Sequence, residues 1–346
     1  MITRLRALCT ALVVTLVAYG STASAATYTV TDIGTLAGSV SEAFAINARG
    51  DVVGDSTAAG GTHHAFLYPS RNERLIDLDP RGANGSSYAF AINDRGRVAG
   101  TVTGPGGGAS HAALFVRGHI IDLGSPPDFP TAGAAGINHA GDVLIAADAV
   151  IGIPDSGQGF LLHHGHLVAL PITSVAGLND RRQVVGEAGT NIGPAVLFSG
   201  GELTSVAPGL PLPSFAQAIN ARGDIAGGYR DGPLGSTGGA FLEMGGVVTD
   251  LGTLPGAGTA IALGLNSRDQ VVGGAIGYAI GPVERAFVYD TRLDPPMRDL
   301  NDLIPADSGI VLEAATAIND DGIIVGIATA VDGHFRHAVV LKPHGS

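Results

Sequence analysis

The chain has 346 residues with 31 acidic and 19 basic side chains, a formal net charge of −12, no tryptophan and a single cysteine. That balance argues against nucleic acid and anionic membranes as partners, and one cysteine excludes an internal disulfide framework. With 53 glycines, 19 prolines and no long stretch of helical periodicity, the composition predicts many short strands joined by turns.

Residues 1–25 read as a signal peptide. Arg4 and Arg6 precede an apolar stretch from Ala7 to Tyr19, and Ala23-Ser24-Ala25 offers small residues for cleavage. The stretch is short for a bilayer-spanning helix, and no later segment reaches the roughly 18 apolar residues that a span requires. The mature chain is therefore expected to be secreted, extracellular or periplasmic, without membrane insertion. Cys9 lies near the start of the leader's apolar stretch rather than after it, which excludes it as the acylated cysteine of a lipoprotein. Losing Arg4 and Arg6 takes the net charge to −14.

Residues 26–346 carry one phrase seven times: a small-residue apolar run ending in Asn, a polar turn, then a β-branched pair. The asparagines are Asn47, Asn93, Asn138, Asn179, Asn220, Asn266 and Asn319, spaced 46, 45, 41, 41, 46 and 53 residues apart. A period of this length marks a repeat architecture, and no composition shift interrupts it, so one domain is expected. The first unit predicts four strands, a to d: EAFAIN (42–47), DVVGDS (51–56), HAFLYP (64–69) and RLIDLD (74–79). Two and four places before the Asn the residue is small in nearly every unit, as in Ala45 and Ala43, with Val175 the exception, whereas the places between include larger ones such as Phe44 and Ile46. Period two on a strand packed on both faces fits radially stacked blades. Five units have Gly three places after Asn, suited to a left-handed turn; Arg182 and Asp269 are the exceptions, with strain or another turn type expected at Arg182. The Asn amide is expected to bond its own turn. The alternative is a ring of seven amides gripping one ligand.

The ends of the chain settle how the array closes. YTVTDIGTL (28–36) matches the d-strand text VVTDLGTL (247–254) but has no a, b or c strand before it, and the last unit supplies a, b and c without d. The orphan first strand then completes the last blade, giving an all-β, seven-bladed β-propeller of four-stranded blades without exposed edges.

The phrases AINARGDVVG, HAFLY, DLGTLPG and NDLIPADSG resemble the HAF-type extracellular repeats of bacterial secreted proteins. The His of that motif is kept at His64, His111 and His337 and replaced by Gln158, Pro194, Gly239 and Arg285. The resemblance implies a secreted, propeller-like protein and carries no catalytic residue with it.

Against this frame each chemical candidate has a plain alternative. His64, His111 and His337 lie well outside the innermost strands, too far apart to share a metal, and are expected to bond loops. His163, His164 and His166 crowd one c-to-d turn as HHGH, where a transition metal would find imidazoles; the plain reading is an exposed hairpin without a nearby carboxylate. Asp32, Asp77, Asp122, Asp250 and Asp299 recur in strand d and read as scaffold. Arg49-Gly50-Asp51 and Arg222-Gly223-Asp224 spell an adhesion tripeptide but fall on the repeat's own turn. In the third unit Ile145 takes the place of the b-strand Gly, and a distorted blade edge is expected.

Function is expected where the repeat breaks, on the d-to-a and b-to-c loops that share one face. The ligand-binding candidates there are Tyr88, Phe129, Phe215, Tyr229, Arg230, Asp231, Tyr278, Asp332 and His334. With no catalytic constellation and no cofactor motif in the sequence, the leading reading is a non-enzymatic binding propeller for a glycan or protein. One alternative is a hydrolase or lyase whose Asp231, Glu284, Asp307, Asp332 and His334 converge over the channel; a structural surface or matrix protein is the other.

Overall fold

The computed structural model describes residues 27–148, 157–189, 193–231, 236–277 and 283–344. The leader, most of the third-unit insertion and Tyr278 lie outside the described residues. The chain forms seven four-stranded antiparallel sheets, each built from consecutive strands a, b, c and d. In blade 1 these are Ser41–Ile46, Val52–Thr57, His63–Tyr68 and Ile76–Asp77. Blade 7 takes three strands from the C-terminal end and its outer strand from Tyr28–Asp32, which pairs with Arg336–Pro343. The ring is thereby closed by its own first strand, as the repeat count predicts.

The core is a ring of seams rather than one centre. Each of seven apolar clusters joins adjacent blades: Val53, Ala65 and Leu78 of blade 1 pack on Ala89, Val98 and Phe115 of blade 2. At −4 from each Asn a small residue fits this seam, and six of the seven are Ala; Ala43, Ala89, Ala134 and Ala262 are fully buried. The strict alternation expected of strand a needs one correction. Every a strand shifts register between −4 and −2, so the residue at −3 is bulged in all seven blades. A bulge leaves its residue outside the ladder and turns it away from the seam. Phe44, Phe90, Ala135, Ala176, Gln217, Leu263 and Thr316 hold this position on the innermost strands and are all partly or fully accessible.

The turn after each Asn confirms its structural role and extends it. The Asn47 Oδ1 accepts the N–H groups of Arg49 and Asp51 at 3.0 and 2.9 Å. Its Nδ2 donates to the carbonyl of Asn93 in the next blade at 3.3 Å. The same link runs from Asn93 to Asn138, to Asn179, to Asn220, to Asn266, to Asn319 and back to Asn47. All seven are buried, so the amides are consumed in a closed circle around the channel. Arg182 and Asp269 keep the left-handed turn at φ of 57° and 63° despite their Cβ atoms; Arg182 is held there by Asp142 at 2.9 Å. Blade 3 is not distorted within its described part. Val143–Asp148 pairs without interruption with strand c and, apart from the bulge that every blade has, with strand a, and Ile145 packs among Ala134, Ala147 and Phe160.

Candidate functional site

The antiparallel order places the a-to-b and c-to-d turns on one face of the ring, and the b-to-c and d-to-a loops on the other. On the turn face the channel mouth is a hollow of about 280 Å³ lined by the seven asparagines and the Ile or Leu before each. Asp94, Asp180 and Asp320 also line it, and each accepts a backbone N–H of the preceding blade, from Ala48, His139 and Ser267. This end is scaffold.

The recurring histidines and aspartates explain one another. Nδ1 of His64, His111 and His337 faces Asp77, Asp122 and Asp32 at 2.9, 3.0 and 2.9 Å, within one blade each. In blade 6 Arg285 replaces the His and binds Asp299 at 3.2 Å. In blade 5 the position is Gly239, where an added Cβ would stand 2.9 Å from the Tyr229 hydroxyl. That hydroxyl donates to Asp250 at 2.9 Å instead. Burial, the bond to Asp250 and the charge of Asp231 push the Tyr229 phenol up to about 12, so it stays a neutral donor. Blades 3 and 4, with Gln158 in strand c and Pro194 just before it, have Ala169 and Ser205 at the strand d position that holds Asp elsewhere, so no such pair can form. The expected loop contact is thus a strand c to strand d pair; His64 adds the loop carbonyl of Gly82 and Arg285 that of Pro255.

The HHGH turn is corrected likewise. His163 does have a carboxylate beside it, its Nδ1 lying 2.5 Å from Asp142, and His164 packs edge-on against its ring. Among the described residues no three His, Cys, Asp or Glu side chains come close enough together to hold a metal ion. Both adhesion-like tripeptides are closed on themselves, Arg49 on Asp51 and Arg222 on Asp224, with those carboxylates also taken by the Asn turn.

Of the loop-face candidates, Phe129 packs edge-on against Phe160 in the seam of blades 2 and 3. Tyr229 belongs to the Asp250 pair, Asp231 is exposed beside it, and Asp332 and His334 form a loose pair on an exposed turn. Glu284 lines a small cavity between blades 6 and 7 with Glu313, away from those groups. Asp307 sits on a separate loop.

Phe215 and Arg230 do converge. With Ser174, Glu187, Pro213 and Gln217 they line a cavity of about 310 Å³ between blades 4 and 5. The Arg230 guanidinium carbon lies 5.7 Å from the centre of the Phe215 ring, within reach of a cation–π contact.

Tyr88 belongs to a second arrangement. It sits at −5 in strand a of blade 2, Ser87–Ile92, and stacks on His63 of blade 1 at 5.7 Å. It also lies 6.1 Å from Phe90, which is 5.2 Å from Phe44 across the channel wall. His63 is anchored by Asp55 at 2.5 Å. Burial pushes the Asp55 carboxyl up, the His63 bond opposing it; burial and then the Asp55 charge raise the Tyr88 phenol. Position-by-position comparison of the repeats finds these residues: Phe44 and Phe90 stand where blades 3 and 4 have Ala135 and Ala176.

No family profile matches the sequence, and no curated protein is similar to it. Solved structures show the same architecture. The β-propeller domain of the Trilobed protease from Pyrococcus furiosus is similar at a TM-score of 0.55 and 11% identity, over 89% of this chain and 96% of that one. An oligogalacturonate lyase from Vibrio parahaemolyticus is similar at a TM-score of 0.52 and 9% identity, over 92% and 98%. These likenesses show the fold alone.

Proposed function

We propose that the protein is an exported binding propeller that holds a glycan or a protein ligand on its b-to-c and d-to-a loop face. The observation that carries this reading is the meeting of Phe215 and Arg230 in the cleft between blades 4 and 5. A concave site with an aromatic wall and a few convergent polar groups is the usual form of a ligand pocket. The cleft supports such a pocket on the face where the repeat is least regular, whereas the carboxylates of the hydrolase reading stand on separate loops. The leader supports export, and the HAF-like repeat agrees with it.

The test is a glycan array and a cross-linking screen against cell-surface proteins, run with the mature chain and with a Phe215→Ala/Arg230→Ala double variant. The expected outcome is a ligand held by the wild type and lost from the double variant. A wild type silent in both formats sinks the binding reading, and release of cleaved sugar or peptide products restores the hydrolase or lyase.

A further inference from the structure

Strand positions −3 and −5 vary freely from blade to blade without disturbing the ring. At −3 the scaffold accepts Ala, Gln, Leu and Thr, and at −5 it accepts Gly133, Ser174, Ile261 and Ala314. Aromatic side chains at these positions are therefore not demanded by the fold. Yet blades 1 and 2 place Phe44, Phe90 and Tyr88 there, and His63 extends the row outward. Four rings follow one another at centroid spacings of 5.7, 6.1 and 5.2 Å.

The Tyr88 and Phe90 planes differ by only 6° and the His63 and Tyr88 planes by 25°. Parallel rings with centroids this far apart are offset sideways, so each leaves part of its face open. Phe90 is 37% exposed. A row of open faces is unlike a box around a quaternary ammonium group, whose walls must enclose one point. The polar group at the outer end is preset: the Asp55 side chain, almost fully buried, takes Nδ1 of His63 and fixes the ring. No partner of its Nε2 is found among the described residues. Behind the row Asp55 is bonded to His63, beside it Glu42 is paired with Arg336, and the whole chain carries a net negative charge.

We propose that His63, Tyr88, Phe90 and Phe44 form a platform for the sugar rings of an uncharged oligosaccharide. This deepens the binding reading and rests on it. A pyranose ring presents an apolar C–H face to an aromatic face and hydroxyls at its rim. The row supplies the first contact, and Nε2 of His63 exchanges a hydrogen bond with a hydroxyl. The net negative charge of the chain disfavours an acidic oligosaccharide.

Calorimetric titration with cellohexaose, mannohexaose, chitohexaose and an oligogalacturonate tests this, using the wild type, Phe90→Ala, Tyr88→Ser, the two combined, and Phe215→Ala/Arg230→Ala. Phe90→Ala and Tyr88→Ser copy residues that blades 3 and 4 already hold, so the fold is retained, which a thermal melt verifies. At least one neutral hexasaccharide is expected to bind, with each platform substitution weakening it about tenfold. Binding that survives the platform variants but is lost with Phe215→Ala/Arg230→Ala overturns the platform and keeps the function proposal. Binding of the oligogalacturonate alone overturns the platform too. If no oligosaccharide binds, the platform falls, and the cross-linking screen decides separately whether a protein is the ligand; an apolar peptide captured on Phe90 in that screen also replaces it.

Discussion

The two ends of the central channel are built from the same seven strands, yet one is almost identical from blade to blade and the other is not. At the turn end each Asn repeats the same contacts to its own turn and to the next blade. At the loop end the equivalent positions hold Glu42, Tyr88, Gly133, Ser174, Phe215, Ile261 and Ala314. A repeat keeps a residue where its removal would leave buried polar groups unpaired, and tolerates change where the side chain meets only a groove or solvent. The difference separates what holds the ring together from what the ring displays.

The largest expected effect lies at the turn end. Asn266→Ala removes bonds to the Arg268 and Gln270 N–H groups, to Gln270 Oε1 and to the Asn319 carbonyl. With some of those groups left buried and unpaired, a loss of about 3 kcal/mol is expected in urea unfolding. A loss below about 1 kcal/mol would show that the circle is decorative. Next comes Ser87, buried in the seam, whose Oγ accepts the Ala65 N–H of the preceding blade at 2.9 Å; Ser41 and Ser214 do the same for Ala338 and Ala195. Ser87→Ala should cost about 1–2 kcal/mol by the same assay.

Acid sharpens the contrast further. At the turn end burial alone would raise the Asp51 and Asp142 carboxyls, but hydrogen bonds from Arg49, Asn47, His163, Asn138 and Arg182 outweigh it and hold them low. The two bonds from Arg292, with burial opposing, likewise lower Asp290. A lowered carboxylate stabilises the fold above its unfolded value of about 3.9 and loses that contribution as pH falls toward the folded value. Asp55 at the loop end is raised, so its contribution is fully present below about 3.9 and fades as pH climbs through the folded value. At the loop end Asp79 and Asp122 are also held low, burial being outweighed by bonds from Arg81 and His111, so hydrogen exchange below pH about 4 should accelerate in the Asn turns and around these two carboxylates before it does around the His63–Asp55 pair. Equal acceleration around Asp55 would break the distinction. The smallest stability effect is expected for Phe90→Ala: because Phe90 is partly exposed and Ala135 replaces it in blade 3, the change should stay under about 1 kcal/mol while ligand binding falls.

Much of the ring could be read from the chain. The Asn spacing counted the blades, and the stranded d-strand text at Tyr28 predicted closure. The bulge at −3 left no mark, because no residue type is required there. The Asn-to-Asn bond was illegible for another reason: its partner lies in the next blade, some 41 to 53 residues away or, at the closing seam, 272. The His and Asp pairing was present but unused, since Gln158 and Pro194 depart from His in the same two units whose strand d lacks Asp. At the loop end, Tyr88, Phe215 and Arg230 were found by asking where the repeat breaks. Phe44, Phe90, His63 and Asp55 escaped because they sit in strands whose spacing obeys the repeat; only side-chain size against the other blades sets them apart.

The closing seam also sets an order of events. Tyr28–Asp32 pairs with Arg336–Pro343, and Asn319 reaches back to Asn47, contacts about 270 to 310 residues apart in sequence. A chain made from its N-terminus has an edge strand at Tyr28–Asp32 whose partner appears only about 310 residues later. Blades 1 to 6 can assemble as an arc in the meantime, and the final step waits for the last strand to arrive, which makes completion late and dependent on the intact chain. For a protein of this plan, the ring exists only once Pro343 has joined Tyr28.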